Sequence, residues 1–188
     1  MSVNKQYVEK WSPVERKQCR AINEALDKST YPRFFLEPNT DDNFSGFDAF
    51  LCYESSPREV SVLARAELEH HGEDPYKADT LVKYKEINMT TRKINRLLRE
   101  GSFDWFIKTS YDLRYAVMFS SRGLTEAYYN RSIASAPHYI NNKAQREGNS
   151  TDNKFIGIYN PKGFNFLGKE AFIGTIEGLA KYIENYYR

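Results

Sequence analysis

Apolar residues recur at helical spacing near both ends of this 188-residue chain and in short alternating runs between them. Near the N-terminus, Ser12-Pro13-Val14-Glu15 matches a capping box with Pro at the first helical position, which predicts a helix from Ser12 to about Lys28. Glu15 falls inside the arc of this helix that faces the core. Its carboxylate therefore either caps the helix or points toward a site on a neighbouring sheet.

Alternating apolar runs and the turn residues between them predict two hairpins, a strand and a helix in the middle of the chain. The first hairpin pairs Phe47–Tyr53 with Glu59–Glu69 around Ser55-Ser56-Pro57-Arg58, with Glu54 opposite Glu59. The elements predicted after it are a loop over His70–Lys77, a strand over Asp79–Ile87, a helix from Thr90 or Thr91 to Glu100 ended by Gly101, and a second hairpin of Phe103–Thr109 with Arg114–Ser120.

The C-terminal part of the chain turns polar from Ala134 to Lys154, which predicts a long mobile connection. A short last strand is predicted at Phe155–Tyr159, and a C-terminal helix over about 169–188. This helix carries an apolar stripe that must dock on the body of the protein or on another subunit. The stripe comprises Phe172, Ile176, Leu179, Ile183 and Tyr186. Together the elements predict a single α+β or α/β domain, residues 1–188, with a mixed central β-sheet and flanking helices.

Acidic side chains of the first hairpin can meet on one face. The register set by the turn places Asp48 opposite Arg65, with Glu67 as its diagonal neighbour at about 7–8 Å and Glu69 two residues further along. Carboxylates at such spacing repel one another unless a cation or a proton lies between them, so the pattern predicts a divalent-cation site. Alternatively, Asp48 and Arg65 form a cross-strand ion pair beside solvated glutamates. A one-residue slip would move Asp48 to the other face.

Composition and charge narrow the classes of protein without selecting one. With 40% hydrophobic and 28% charged residues, the chain is long enough for one domain with its own core. A net charge of +2 neither demands nor forbids a nucleic-acid partner. The absence of a signal-like or membrane-spanning apolar run predicts a cytoplasmic location and no membrane partner. Cys19 and Cys52 lack metal-ligand spacing and are expected to be small buried hydrophobes.

The predicted order of elements over roughly residues 12–120 resembles the core of the PD-(D/E)XK nuclease superfamily. The residues that carry the resemblance are Phe47-Asp48-Ala49, Glu67-Leu68-Glu69, and Asp79–Lys85, which looks like the stretch after the motif in many phage and bacterial members. The resemblance implies a restriction-endonuclease-like fold in which Asp48 and Glu67 ligate Mg²⁺, with Mn²⁺ as a substitute. The ion would polarise the scissile phosphate and activate a water.

One position departs from the motif of the superfamily. Glu69 stands where the superfamily usually has Lys, a replacement that some of its restriction enzymes tolerate. The resemblance then implies that Glu69 orients or deprotonates the water, while Lys83 or Lys85 offsets the charge that develops on the phosphate. These two lysines alternatively protect a sheet edge. A second alignment puts Ser61–Arg65 in the motif register, which would make the protein a catalytically inactive relative.

The helix predicted after Thr91 carries a basic stripe. Arg92, Arg96 and Arg99 recur at spacings of four and three, with Lys93 beside them. Such a stripe either tracks a phosphate backbone or forms the solvated face of an amphipathic helix.

These features together predict a magnesium-dependent phosphodiesterase that acts on nucleic acid, with DNA favoured over RNA. Two alternatives remain. One is a catalytically inactive nuclease-fold protein that binds nucleic acid. The other is a structural or assembly protein that forms homo-oligomers through its C-terminal helix.

Overall fold

Four α-helices, one 3-10 helix and nine strands are present in the part of the chain that the computed structural model describes, namely residues 3–26, 31–40, 46–70, 86–130, 139–140, 154–159 and 163–188. The helices are α1 (Val3–Ala25), α2 (Thr91–Glu100), α3 (Ser121–Tyr129) and α4 (Ile176–Tyr187), and the 3-10 helix is Asn165–Glu170. The strands are β1 (Arg33–Pro38), β2 (Ala49–Ser56), β3 (Glu59–His70), β4 (Glu86–Thr90), β5 (Trp105–Thr109), β6 (Tyr115–Ser120), β7 (Tyr139–Ile140), β8 (Lys154–Tyr159) and β9 (Ala171–Thr175).

A six-stranded mixed sheet in the order β1-β2-β3-β5-β6-β9 organises the fold. Strands β3 and β5 are parallel, and every other neighbouring pair in this sheet is antiparallel. Helix α2 lies in the connection between the parallel strands, as expected because such strands need a crossover. A second, antiparallel sheet has the order β4-β8-β7. The predicted α+β class with a mixed sheet and flanking helices is confirmed.

The two faces of the large sheet carry separate hydrophobic cores, because successive side chains of a strand point to opposite faces. One core lies under α1 and α4, which also contact each other, and includes Ile22, Leu36, Leu51, Ile107, Met118, Leu179 and Ile183. The other lies on the side of α2 and α3 and includes Met89, Ile94, Leu97, Phe106, Phe119 and Leu124. Helices on both faces thus leave the middle strands buried, and polar groups there require partners.

The central predictions for secondary structure are confirmed. Both hairpins form, and α2 spans Thr91–Glu100. Gly101 ends α2 in the left-handed conformation with φ of 58°, and its N–H donates to the carbonyl of Leu97 at 2.9 Å. Glycine suits this position because it lacks the Cβ that makes the conformation costly for other residues.

The predicted start of the first helix is wrong. Helix α1 begins at Val3 instead of Ser12, ends at Ala25, and contains Pro13 in its interior. A proline removes one backbone hydrogen bond from a helix but does not require the helix to begin there. The capping-box interpretation of Ser12 to Glu15 therefore does not hold.

The predicted C-terminal helix over about 169–188 is also corrected, because α4 begins only at Ile176. The preceding residues form the 3-10 helix and β9, so Phe172 lies in a strand, and Phe155–Tyr159 belongs to a strand, β8, that is not the last. The Thr175 hydroxyl accepts a hydrogen bond from the N–H of Gly178 at 3.1 Å and caps α4 there. Strand β6 offers β9 a free edge, which favours an extended conformation before that cap.

Several predictions fall wholly or partly on residues outside the described ranges. The loop over His70–Lys77 is described only at His70, which belongs to β3, and the strand over Asp79–Ile87 only at its last two residues, in β4. Lys83 and Lys85 lie outside. Of the connection predicted over 134–154, only residues 139–140 and 154 are described, and they belong to β7 and β8. Within the described residues, no helix combines the length and apolar character that crossing a bilayer requires.

Candidate functional site

The register of the first hairpin differs from the predicted one, and this brings Asp48 closer to Glu67. Two irregularities in the β2–β3 pairing leave Ala49 opposite Ala66 at the end where Asp48 precedes β2. The Asp48 N–H donates to the carbonyl of Ala66 at 2.9 Å, and its carboxylate oxygen Oδ2 accepts from the N–H of Leu68 at 2.8 Å. Asp48 is therefore held level with Glu67 by two hydrogen bonds to residues that flank it.

The proposed cross-strand ion pair between Asp48 and Arg65 is not formed. Arg65 lies opposite Phe50 and pairs instead with Asp104, with a distance of 3.0 Å between Nε and Oδ2. Its guanidinium also donates to the carbonyl of Gly101 at 2.9 Å. The predicted alternative to a cation site, based on this pair, is wrong because bulges in the hairpin shift the register.

Lys93 of α2 extends into the acidic residues of β3. Its Nζ lies 2.6 Å from Oε1 of Glu67 and 3.7 Å from Oε2 of Glu69, and it donates to the carbonyl of Leu68 at 3.3 Å. The side chains of Lys93 and Glu67 are only 18% and 8% exposed. Oε2 of Glu69 is buried without a hydrogen-bond partner. The ammonium of Lys93 thus occupies the space between the two glutamates.

Glu69 is fixed from two further elements. Lys108 faces it across the parallel β3–β5 pair, and Lys108 Nζ donates to Glu69 Oε1 at 2.9 Å. Gln18 of α1 donates through Nε2 to the carbonyl of Glu69 at 2.8 Å and to the hydroxyl of Thr109 at 2.7 Å. Gln18 and Lys108 are both buried. The backbone and one carboxylate oxygen of Glu69 are consequently held in place.

Glu15, Asp48, Glu67 and Glu69 form a group that we call the carboxylate cluster. Burial, with Asp48 and Glu69 nearby, raises the pKa of Glu67 to about 8 although Lys93 opposes the shift. Burial also raises the pKa of Asp48, against the effect of Lys93 and the hydrogen bond from Leu68. The pKa of Glu15 is raised to about 7 by burial and by Asp48, so Glu15 lies within electrostatic range of Asp48. Three of the four carboxyl groups therefore resist ionisation.

Glu69 behaves in the opposite way. Burial works against its ionisation, but Lys108 and Lys93 hold its pKa below the usual value. Burial disfavours the charged form of Lys93, yet Glu67, Glu69 and Asp48 raise its pKa and keep it protonated. The carboxylate cluster thus has four carboxyl groups and, beside them, the two ammonium groups of Lys93 and Lys108. The excess of negative charge is met either by protons or by an additional cation.

The donor set fits a hard cation held by few protein ligands. Among the described residues, no group of three or more His, Cys, Asp or Glu side chains lies close enough together to hold a metal ion. Mg²⁺, however, is commonly bound through one or two carboxylates together with waters and phosphate oxygens. Asp48, directly before β2, and Glu67, level with it on the neighbouring β3, supply two such carboxylates. The chemistry of these two side chains fits such an ion, and the ammonium of Lys93 lies against one of them, Glu67.

The basic residues predicted on α2 separate into two groups. Arg92 is exposed and close enough to Asp48 to lower its pKa, whereas Arg96 forms a 3.9 Å ion pair with Glu100. Arg99 is exposed, and its Nε donates to a carbonyl one turn earlier in the helix. We call the surface formed by these three arginines the arginine surface. Lys93 does not belong to it, since its ammonium lies among the carboxylates.

Sequence reasoning missed the contributions of Lys108 and Gln18 and did not anticipate that Lys93 pairs with Glu67. A signal for Lys108 is present, because it sits in Trp105-Phe106-Ile107-Lys108-Thr109, a run whose five residues are all buried. A lysine in a fully buried strand is rare unless it is paired, so a carboxylate partner could have been anticipated. No comparable pattern distinguishes Gln18.

Comparison of the chain with protein-family models, curated proteins and solved structures finds no match.

Proposed function

We propose that this protein is a magnesium-dependent phosphodiesterase that cleaves nucleic acid, with DNA favoured over RNA, built on a restriction-endonuclease-like fold. The observation that carries the proposal is that Asp48, Glu67 and the ammonium of Lys93 lie together in one largely buried cluster, in which carboxyl groups outnumber ammonium groups. The resemblance to the PD-(D/E)XK superfamily implies an Asp on one strand and a (D/E)-x-K pair on the next. Asp48 directly precedes β2, and Glu67 lies on the adjacent β3.

Lys93 supplies the positive charge that the motif would place at position 69. It approaches Glu67 from the neighbouring helix, so the departure at Glu69 does not leave the site without an ammonium group. This assignment gives to Lys93 the role that the sequence suggested for Lys83 or Lys85. A positively charged donor near the scissile phosphate would stabilise the negative charge that develops there.

Each residue of the cluster has a distinct part in this reaction. A magnesium ion held by Asp48 and Glu67 would polarise the phosphate and lower the pKa of a water. Glu69 stays ionised, and its Oε2 is the oxygen able to accept a hydrogen bond from the attacking water. Glu15, with a pKa of about 7, can exchange a proton at neutral pH beside Asp48.

The first prediction concerns the two proposed metal ligands. Asp48→Asn and Glu67→Gln are each expected to lower Mg²⁺- or Mn²⁺-dependent cleavage by more than about a hundredfold, the upper range for residues that only support metal ligands. Single- and double-stranded DNA and RNA should be tested side by side. Glu126→Gln is the matched control, since it makes the same acid-to-amide change at an exposed position of α3 and should retain full activity.

A wild type that cleaves none of these substrates with either ion would contradict the proposal. The second candidate, a catalytically inactive nuclease-fold protein that binds nucleic acid, would then be favoured. A specific observation supports that candidate: Lys93 already occupies the space between the glutamates. Binding of nucleic acid that is unaffected by divalent ions would be its signature.

The second prediction concerns the arginine surface of α2. Replacing Arg92, Arg96 and Arg99 together with Ala is expected to weaken nucleic-acid binding about tenfold or more at low salt. The salt dependence of the binding constant should become shallower, by roughly one unit of slope for each arginine that no longer neutralises a phosphate. Fluorescence anisotropy over a salt series measures both quantities.

The control for this surface is a second triple variant with the same change in charge. Arg16, Lys17 and Arg20 are exposed on α1, and their replacement with Ala should leave the salt slope near that of the wild type. Equal losses of affinity in the two triple variants would point to net charge alone and would remove α2 as the binding surface.

A further inference from the structure

The ammonium of Lys93 stands where a cation bound to Glu67 would stand. It is 2.6 Å from Oε1 of Glu67 and 3.7 Å from Oε2 of Glu69, and it is also close enough to Asp48 to interact with its charge. A magnesium ion binds carboxylate oxygens at about 2.0–2.1 Å. The ion and the ammonium cannot both occupy the contact with Glu67 Oε1, because two positive charges so close together repel strongly.

We propose that Lys93 is a displaceable internal cation, which lies against Glu67 in the metal-free protein and is expelled by the divalent cation. Expulsion makes the ammonium available to interact with the substrate phosphate. Binding of the divalent cation and availability of Lys93 for the reaction are therefore coupled. This inference rests on the metal site of the proposed function and adds an exchange of cations to it. Binding of the divalent ion is consequently weaker than the same carboxylates would otherwise give.

The structure explains why Lys93 moves and Lys108 does not. Lys93 sits in the first turn of α2 at the edge of the cluster, and its side chain is 18% exposed on four flexible carbons. Lys108 is 6% exposed, belongs to a fully buried strand, and donates to Glu69 Oε1. Departure of Lys93 leaves Glu69 neutralised by Lys108. Only Glu67 loses its partner, and the divalent ion replaces it.

The test compares the affinity for Mn²⁺ and Mg²⁺ of the wild type, Lys93→Met and Arg92→Met by isothermal titration calorimetry. Lys93→Met is expected to bind the ions about tenfold more tightly, within the range typical of coupled binding equilibria. Arg92→Met removes a positive charge from the same helical turn without emptying the space between the carboxylates. Its affinity should rise less than about twofold, as expected for an exposed charge.

A second measurement uses the wild type alone, and so does not depend on the folding of a variant. Amine-specific labelling followed by mass spectrometry measures how accessible each lysine is. Saturating Mg²⁺ is expected to raise the labelling rate of Lys93 severalfold and to leave Lys108 protected. Unchanged or slower labelling of Lys93 in Mg²⁺ would overturn the displacement.

The outcomes separate this inference from the function on which it rests. The displacement would be overturned if the wild type binds the ions and Lys93→Met binds them no more tightly than the wild type or than Arg92→Met. The metal site itself would then remain supported. Absence of binding in all three proteins would remove the metal site and both proposals with it. Tighter binding by Lys93→Met together with lost cleavage would support the exchange and a separate role of Lys93 in the reaction.

Discussion

Raising the pH from 4.5 to about 8 without divalent cations is expected to lower the free energy of unfolding by several kcal/mol. The pKa of Glu67 rises from its ordinary value of 4.5 to about 8 in the folded protein, because the carboxyl is buried beside Asp48 and Glu69. Between these values the folded protein retains a proton that the unfolded chain has lost, so stability falls as pH rises. Each unit of the shift corresponds to about 1.4 kcal/mol. Glu15 contributes in the same direction up to about pH 7.

Chemical unfolding across this pH range measures the effect. Glu67→Gln should make the dependence clearly shallower, since the amide keeps the neutral form at every pH, whereas Glu126→Gln should follow the wild type. Adding Mg²⁺ at the alkaline end should restore stability, because a ligand of the folded state stabilises it by mass action. A dependence that Glu67→Gln leaves unchanged would show that this carboxyl does not retain its proton.

Replacing Leu179 with Ala is expected to lower the free energy of unfolding by about 2–5 kcal/mol, the usual range for removing a fully buried leucine side chain. Leu179 has no exposed surface, and Ile176 and Ile183 of the same helix are buried in the same core. Lys181→Ala is the control, because this exposed residue on α4 should change stability by no more than about 0.5 kcal/mol. Urea unfolding of the three proteins gives the comparison.

The same packing bears on the predicted oligomerisation through the C-terminal helix. The apolar residues of α4 are buried in the core of their own chain. Trp105 also donates a hydrogen bond to the hydroxyl of Tyr187 in this helix, at 2.6 Å. Deleting residues 176–188 should therefore unfold the protein instead of yielding a folded monomer. Light scattering and circular dichroism of the truncated protein distinguish these outcomes. A folded, smaller assembly would restore the oligomerisation hypothesis.

The local elements that the sequence predicts well are those with a strong signal in a few neighbouring residues. Alternation and turn residues located both hairpins, and Gly101 marked the end of α2. The boundaries that were wrong depend on distant partners. Strand β9 pairs with β6, which lies far from it along the chain.

The candidate site divides in the same way. The sequence selected Asp48, Glu67 and Glu69 from the period of the strand, and Glu15 from its place on the helical wheel. Their positions in the cluster follow from two irregularities in the hairpin, which bring Asp48 level with Glu67 and leave Arg65 to Asp104. The nuclease activity, the magnesium and the nucleic-acid partner remain predictions.

The sequence by itself determined the class of fold, the carboxylates and the basic helix, because periodicity, turn chemistry and charge are properties of neighbouring residues. Only the tertiary structure decided which cations meet those carboxylates. Lys93 lies 26 positions after Glu67, and Lys108 lies 39 after Glu69. They arrive through the crossover of α2 and the parallel pairing of β3 with β5. These partners matter because the carboxylates are buried. A charge removed from water is stabilised only by the groups that the fold places beside it.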